Sequence, residues 1–286
     1  MRFEVHRPSF PSLLTNPPNQ HHAVYRQQRL SFGASRNIVY YSAIRFLNQG
    51  ATVHFLLRST SIFDGNSEVR LFIQSGKAKL IQGDALKEAD VKAAWDFALS
   101  TSPVDLVVFT IGAIPNISIT KGIIMDIPNL VTQCYLNVVC TIPSCTSPKL
   151  VVISSCGLTK HGHKLLAAPH KDKLGMERAV AYSAGWSWDN ADGDAADILG
   201  ADWQARKVLP APGVLKNILV LRPALFTDGP CVADSGKNGK APYRVTIGEE
   251  LRGWTISRKD AAHFISVAVT EKWDEYKDNI VNIRAY

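Results

Sequence analysis

At 286 residues with 46% hydrophobic content, the chain has material for one large domain with a sizeable core, and no apolar run reaches the roughly 18 residues that span a bilayer. The net charge of +7 forms no stripe of Lys/Arg interleaved with aromatics, which argues against a nucleic-acid partner and favours a cationic pocket for phosphates. Five cysteines (Cys134, Cys140, Cys145, Cys156, Cys231), odd in number and without a CxxC, point to reduced thiols and a cytoplasmic setting rather than a disulfide framework.

Residues 1–29 hold Pro8, Pro11, Pro17 and Pro18 among polar Asn, Gln and His, and read as an irregular leader. The prolines argue against the amphipathic helix of a transit peptide. A strand–helix alternation begins at residue 30 and occupies 30–286. Arg29–Phe32 is the first strand, although Arg26-Gln27-Gln28-Arg29 is polar where a central strand normally reads as an apolar run. One reading of that polarity is that residues 1–30 are not the native start.

Val39–Asn48 follows as a helix, with Tyr41, Ile44 and Leu47 at helical spacing and Gly50 as its stop. Thr52–Leu57 and Lys79–Gln82 are strands, Lys87–Leu99 a helix, and Val104–Ile111 a strand apolar enough to be buried on both faces. Pro128–Cys140 is a helix, Lys149–Ser154 a strand, Lys171–Ala184 a helix, and Ile218–Arg222 a strand. Arg258–Thr270 is a helix and Asn279–Arg284 closes the chain as a strand. Strands alternating with helices predict an α/β fold of Rossmann type, a doubly wound parallel sheet. Two insertions interrupt it: about 185–213, with Trp186, Trp188 and Trp203 among acids, and about 223–254, rich in Gly and Pro. Ligands of open α/β sheets bind beyond the carboxyl ends of the strands, so these insertions are expected there as a lid or small C-terminal substrate lobe.

The chemistry concentrates at the same ends. Gly33 can bring backbone close to a pyrophosphate at the start of a helix that opens through Ser35, Arg36, Asn37 and Ile38, where the helix terminus favours anions. Only one of the three glycines of a dinucleotide signature is present, and Val39 stands where the third would let helix and strand approach. Arg58 ends the second strand, where an acid would serve NAD and an arginine suits the 2′-phosphate of NADP. Asp84 can accept from an adenine amine or cap the next helix, and Thr110-Ile111-Gly112 ends the fourth strand on a glycine. Ser154 and Ser155 end the fifth strand but lack the GxSxG elbow of a hydrolase. Lys173, beside His170 and Lys171, can reach a ribose hydroxyl or polarise a carbonyl, or belong to a solvated helix face. His161, His163 and His170 lack the spacing of a metal site and read as solvated loop histidines.

Taken in order, these pieces resemble the atypical short-chain dehydrogenase/reductase superfamily, in particular its NmrA-like, NAD(P)H-binding branch. The resemblance is carried by Gly33–Asn37, Leu56-Leu57-Arg58, Gly83-Asp84, Phe109–Ala113, Val152–Ser155, Asp172–Glu177, Leu221–Leu225 and Ser257–Ala262. It implies NADP(H) across the strand ends. Gly33, Arg36 and Asn37 would then contact phosphates, Arg58 the 2′-phosphate, Asp84 the adenine and Gly112 the adenosine ribose. Ser154, Lys173 and Pro223–Leu225 would flank the nicotinamide. The family's tyrosine four residues before the lysine is missing, since Pro169 stands there. The expected function is hydride transfer to a small carbonyl, enone or quinone, with Lys173 and Ser154 positioning and His170 donating a proton. The alternatives are a non-catalytic NADP(H) sensor or scaffold, and a damaged chain that keeps the fold and binds nothing.

Overall fold

The computed structural model describes residues 27–33, 37–112, 116–118, 122–158, 167–236 and 241–286. The chain opens with four strands and their connecting helices: β1 (Gln28–Phe32), α1 (Asn37–Asn48), β2 (Thr52–Leu57), α2 (Ser67–Gln74), β3 (Ala78–Gln82), α3 (Glu88–Leu99) and β4 (Val104–Phe109). After a short pair β5 (Asn116–Ser118) and β6 (Gly122–Ile124) come α4 (Leu130–Thr141), β7 (Lys149–Ile153), α5 (Ala167–Ala184), α6 (Ala196–Leu199) and β8 (Ile218–Pro223). The chain ends with β9 (Leu225–Thr227), β10 (Arg244–Ile247), β11 (Thr255–Ser257), α7 (Arg258–Thr270), α8 (Trp273–Tyr276) and β12 (Asn279–Arg284).

The sheet runs β10-β12-β8-β7-β4-β1-β2-β3, parallel throughout except for β10, which lies antiparallel on β12. The chain winds outward from β1 through β2 to β3, then returns to place β4 on the other side of β1. That reversal is the switch point at which open α/β sheets form a crevice. Side chains alternate between the two faces, as strand geometry requires. Val53, Phe55, Leu106, Val108, Val151, Ile153, Leu219 and Leu221 pack with α1 and α7. Leu30, Phe32, Val107, Phe109, Leu150, Val152, Ile218 and Val220 pack with α3, α4 and α5.

The polar start of β1 is buried and provided for. The Gln28 N–H donates to Asp105 Oδ2 at 2.9 Å across a register shift in the β1–β4 ladder, and its side-chain Nε2 donates to Thr101 Oγ1 at 3.0 Å. Its Oε1 accepts from His54 Nε2. Arg29 lays its guanidinium over the Phe46 ring, 4.5 Å from the centroid, and donates to Gln27. A central strand can therefore carry these residues because Gln28 is bonded through its backbone and both ends of its amide, and the Arg29 head has an acceptor and an aromatic face, although its Nε has no partner among the described residues.

Val39 is buried with the α1 core, so helix and sheet meet through a side chain where a third glycine would have offered bare backbone. The fourth strand ends at Phe109, two residues earlier than expected, and α5 begins at Ala167. Pro169 fits there because the first turn of a helix has no intrahelical partner for its N–H groups. Segment 185–213 lies along α4 and α5. Arg206 donates to Gln133, Lys171 pairs with Asp197, and Trp203 stacks edge-on against Tyr182. The leader lies outside the described residues, apart from residues 27–29. No helix among the described residues is long and apolar enough to cross a membrane.

Candidate active site at the strand ends

The carboxyl ends of β4 and β7 meet on one side chain. Lys173, one turn into α5 from Pro169, donates from Nζ to Ile111 O at 3.0 Å and to Ile153 O at 2.6 Å. It thus ties together the ends of the neighbouring strands β4 and β7. Burial pulls its ammonium down to about 8, against the smaller opposing pull of Asp172 and Glu177. Beside it, Ser154 donates its N–H to Leu221 O at 2.8 Å, while its buried Oγ has no hydrogen-bond partner among the described residues. Ser155 is half-buried and donates to Cys156 O, and the Cys156 N–H donates to Pro223 O at 3.0 Å. Leu225, two residues beyond Pro223, is 54% exposed.

Gly33 ends β1 against Ile111. Its φ is +84°, and a Cβ there would lie 3.1 Å from the Ile111 nitrogen, so only glycine passes without displacing the β4 backbone. Thr110 donates from its N–H to Phe32 O at 3.2 Å, and Gly112 lies exposed just beyond. Ser35 and Arg36 lie outside the described residues, and Asn37 is described only as the backbone that opens α1. Ile38 is buried in the core, so it can offer a ligand only its backbone.

One strand outward, Gly83 N–H donates to Leu57 O at 2.8 Å and holds the ends of β2 and β3 together. Arg58 is exposed there and makes no hydrogen bond or ion pair among the described residues. Asp84 Oδ1 accepts from the Leu86 N–H at 3.0 Å, a local turn. The N-cap of α3 is Lys87, without a side-chain bond, so capping that helix is not the role of Asp84. The fields of Asp84 and Arg58 both reach the buried Cys134 thiol, which burial first and Asp84 second push up to about 12.

His170, three residues before Lys173, places its Cε1 4.0 Å from where a Cβ of Gly157 would be, and the Gly157 N–H donates to Glu250 Oε1 at 3.2 Å. His161 and His163 lie outside the described residues. Among the described residues no three His, Cys, Asp or Glu side chains are grouped to hold a metal. Two cavities of about 470 and 320 Å3 lie at the opposite, amino end of the strands, around Lys149 and Asn217 and around Ile142 and Pro148. None of the expected site residues lines them.

Sequence reasoning missed what supports Lys173. Asp172 is buried and accepts from the Val131 and Thr132 N–H groups at 2.8 and 2.9 Å, capping α4 from the neighbouring helix. Glu177 forms a buried ion pair with Arg222 of β8. The spacing Lys173-x-x-x-Glu177 was visible on one helical face, but its partner across the sheet was not.

Several features of this edge fit a dinucleotide. Among the described residues, a buried hydroxyl has no partner, a guanidinium at the end of β2 makes no hydrogen bond or ion pair, and Gly33 presents backbone beside the switch point. No protein-family model matches the chain, and no curated protein does. Solved structures do. A short-chain type dehydrogenase/reductase from Mycobacterium ulcerans is 16% identical, with a TM-score of 0.57 over 90% of this chain and 87% of its own. An anaerobillin reductase from Escherichia coli O157:H7 is 14% identical, with a TM-score of 0.55 over 91% and 97%. A blue fluorescent protein from a metagenomic library, solved with NADPH, is 20% identical, with a TM-score of 0.53 over 86% and 91%. At these identities the likeness is one of architecture, and the chain shares its fold with solved short-chain dehydrogenases/reductases.

Proposed function

We propose that this protein binds NADP(H) across the carboxyl ends of β1–β4 and β7–β8 and acts as an oxidoreductase on a small carbonyl, enone or quinone. The observation that carries this reading is Lys173, held by the carbonyls of Ile111 and Ile153 beside Ser154 at the end of β7, whose hydroxyl has no partner among the described residues. Similarity of fold to structures solved with NADPH or NADP supports the choice of cofactor. Gly33, Ser35, Arg36, Asn37 and Ile38 would meet the pyrophosphate, Arg58 the 2′-phosphate, Asp84 the adenine and Gly112 the adjoining ribose. Ser155, Pro223 and Leu225 would border the nicotinamide.

When bound, the cofactor supplies a hydride. The chain supplies orientation and protons. Lys173 Nζ has three N–H donors and spends two on Ile111 and Ile153, so the third can serve a ribose hydroxyl or substrate oxygen. Ser154 Oγ can donate to the same oxygen. His170, three residues before Lys173 on α5, would pass the proton, since Pro169 stands where the family it resembles carries a tyrosine. Free thiols at all five cysteines agree with a reducing, cytoplasmic setting.

That same proline favours a second reading, an NmrA-like protein that senses NADP(H) without turning it over. Following NADPH oxidation across a panel of aldehydes, enones and quinones separates the two. Turnover abolished by Lys173→Met supports the enzyme, whereas tight NADPH binding with no oxidation supports the sensor.

A further inference from the structure

Glu177 follows Lys173 by one helical turn on α5, so the two side chains share a face. The Glu177 side chain is 1% exposed, and both its oxygens are engaged by Arg222 of β8, Oε1 by Nε at 2.9 Å and Oε2 by Nη2. Such a two-pronged bond engages both carboxylate oxygens and pairs their charge. Lys173 is thereby left to bond the carbonyls of Ile111 and Ile153. Without Arg222, a buried carboxylate would stand uncompensated one turn from an ammonium, and in so dry a setting their attraction would compete with two neutral carbonyls.

We propose that Arg222 is a positioning residue for Lys173: by pairing with Glu177, it keeps the Lys173 ammonium committed to the ends of β4 and β7. The proposal rests on the reading of Lys173 as a group that faces cofactor and substrate. Other charges bear on this chain. Asp172 on α5 favours the charged Lys173 alongside Glu177. Glu250, from the loop after β10, and Asp192, from the segment between α5 and α6, favour the charged Arg222, and Cys156 feels the Arg222 field from the turn after β7. His170 lies three residues before Lys173 on its own helix.

Lys173 can be watched directly in the full chain with isotope-labelled lysine side chains, its resonance assigned by its loss in Lys173→Arg. Its titration is followed by NMR in the wild type, in Arg222→Met and in the double variant Glu177→Met/Arg222→Met. Freeing the carboxylate in Arg222→Met should raise the Lys173 midpoint by about one unit, whereas removing both charges should lower it below the wild type. NADPH affinity should fall roughly tenfold in the single variant and return to within about threefold in the double. If Arg222→Met does not fold, Arg222→Lys, which keeps a charge and loses the fork, should give a smaller rise. A midpoint unmoved in both variants, or moved in the same direction in both, overturns the proposal. The titration needs no cofactor, so a wild type that fails to bind NADPH would sink the functional reading and still leave this one tested.

Discussion

Arg58 and Lys173 mark the two ends of the candidate site, and each is legible in the sequence to a different degree. Arg58 is readable because strand ends in this fold have assigned chemistry, and the structure leaves its guanidinium exposed at the end of β2. A charge-assisted bond to a phosphate is worth about 1.5–3 kcal/mol, roughly 10- to 150-fold in affinity. Arg58→Glu should therefore weaken NADPH by at least that factor and NADH by less than about threefold. Isothermal titration with both nucleotides checks this, and an equal loss for both would refute the assignment. Lys173 was readable as a helix-borne cation, but not as the staple between β4 and β7. Its two acceptors are backbone carbonyls, which no pattern of residue types announces.

At the scale of elements, β1 and the α4–α5 pair carry sharp consequences. His54 on β2 is fully buried, donates to Gln28 on β1 and has no partner for its Nδ1 among the described residues, so a second proton would bring an uncompensated charge into the core. Burial first, then the nearby Lys79, lowers its titration to about 4 from the usual 6.5. The unfolded chain thus binds a proton the folded chain refuses. Stability from this group is complete above about pH 6.5 and is lost as pH falls toward 4, on the order of 3 kcal/mol. Urea denaturation at neutral and acid pH should show that loss in the wild type and a flatter dependence in His54→Asn. Identical pH dependence would contradict it.

On α5, a Cβ at Gly175 would lie 2.5 Å from Ile198 Cγ2 and 2.8 Å from Thr132 Oγ1. Helix propensity favours Gly175→Ala by about 1 kcal/mol, while overpacking costs about 1–3 kcal/mol. The variant should therefore melt below the wild type. A higher melting temperature would show that the two helices part freely.

For the molecule as a whole, periodicity located the seven parallel strands and the long helices, because each buries a full face or stripe. It missed α2, an eight-residue helix in which Val69 alone is buried, too little for an apolar stripe to register. It also missed β10, whose four residues sit in a Gly- and Pro-rich stretch and pair antiparallel at an edge. The short pairs β5–β6 and β9–β11 are held by a few backbone bonds, with little hydrophobic signal. The candidate site was half legible for a related reason. Residues contributed by strand ends follow from topology, whereas Asp172 capping α4 and Arg222 holding Glu177 depend on which helices the sheet brings side by side.

The central claim is that this strand edge holds NADP(H). Calorimetric titration of the wild type with NADPH and with NADH tests it most directly. The account predicts one site per chain, with NADPH at least about tenfold tighter than NADH, a difference of about 1.4 kcal/mol attributable to the 2′-phosphate. No heat with either nucleotide, or equal affinity for both, would contradict it.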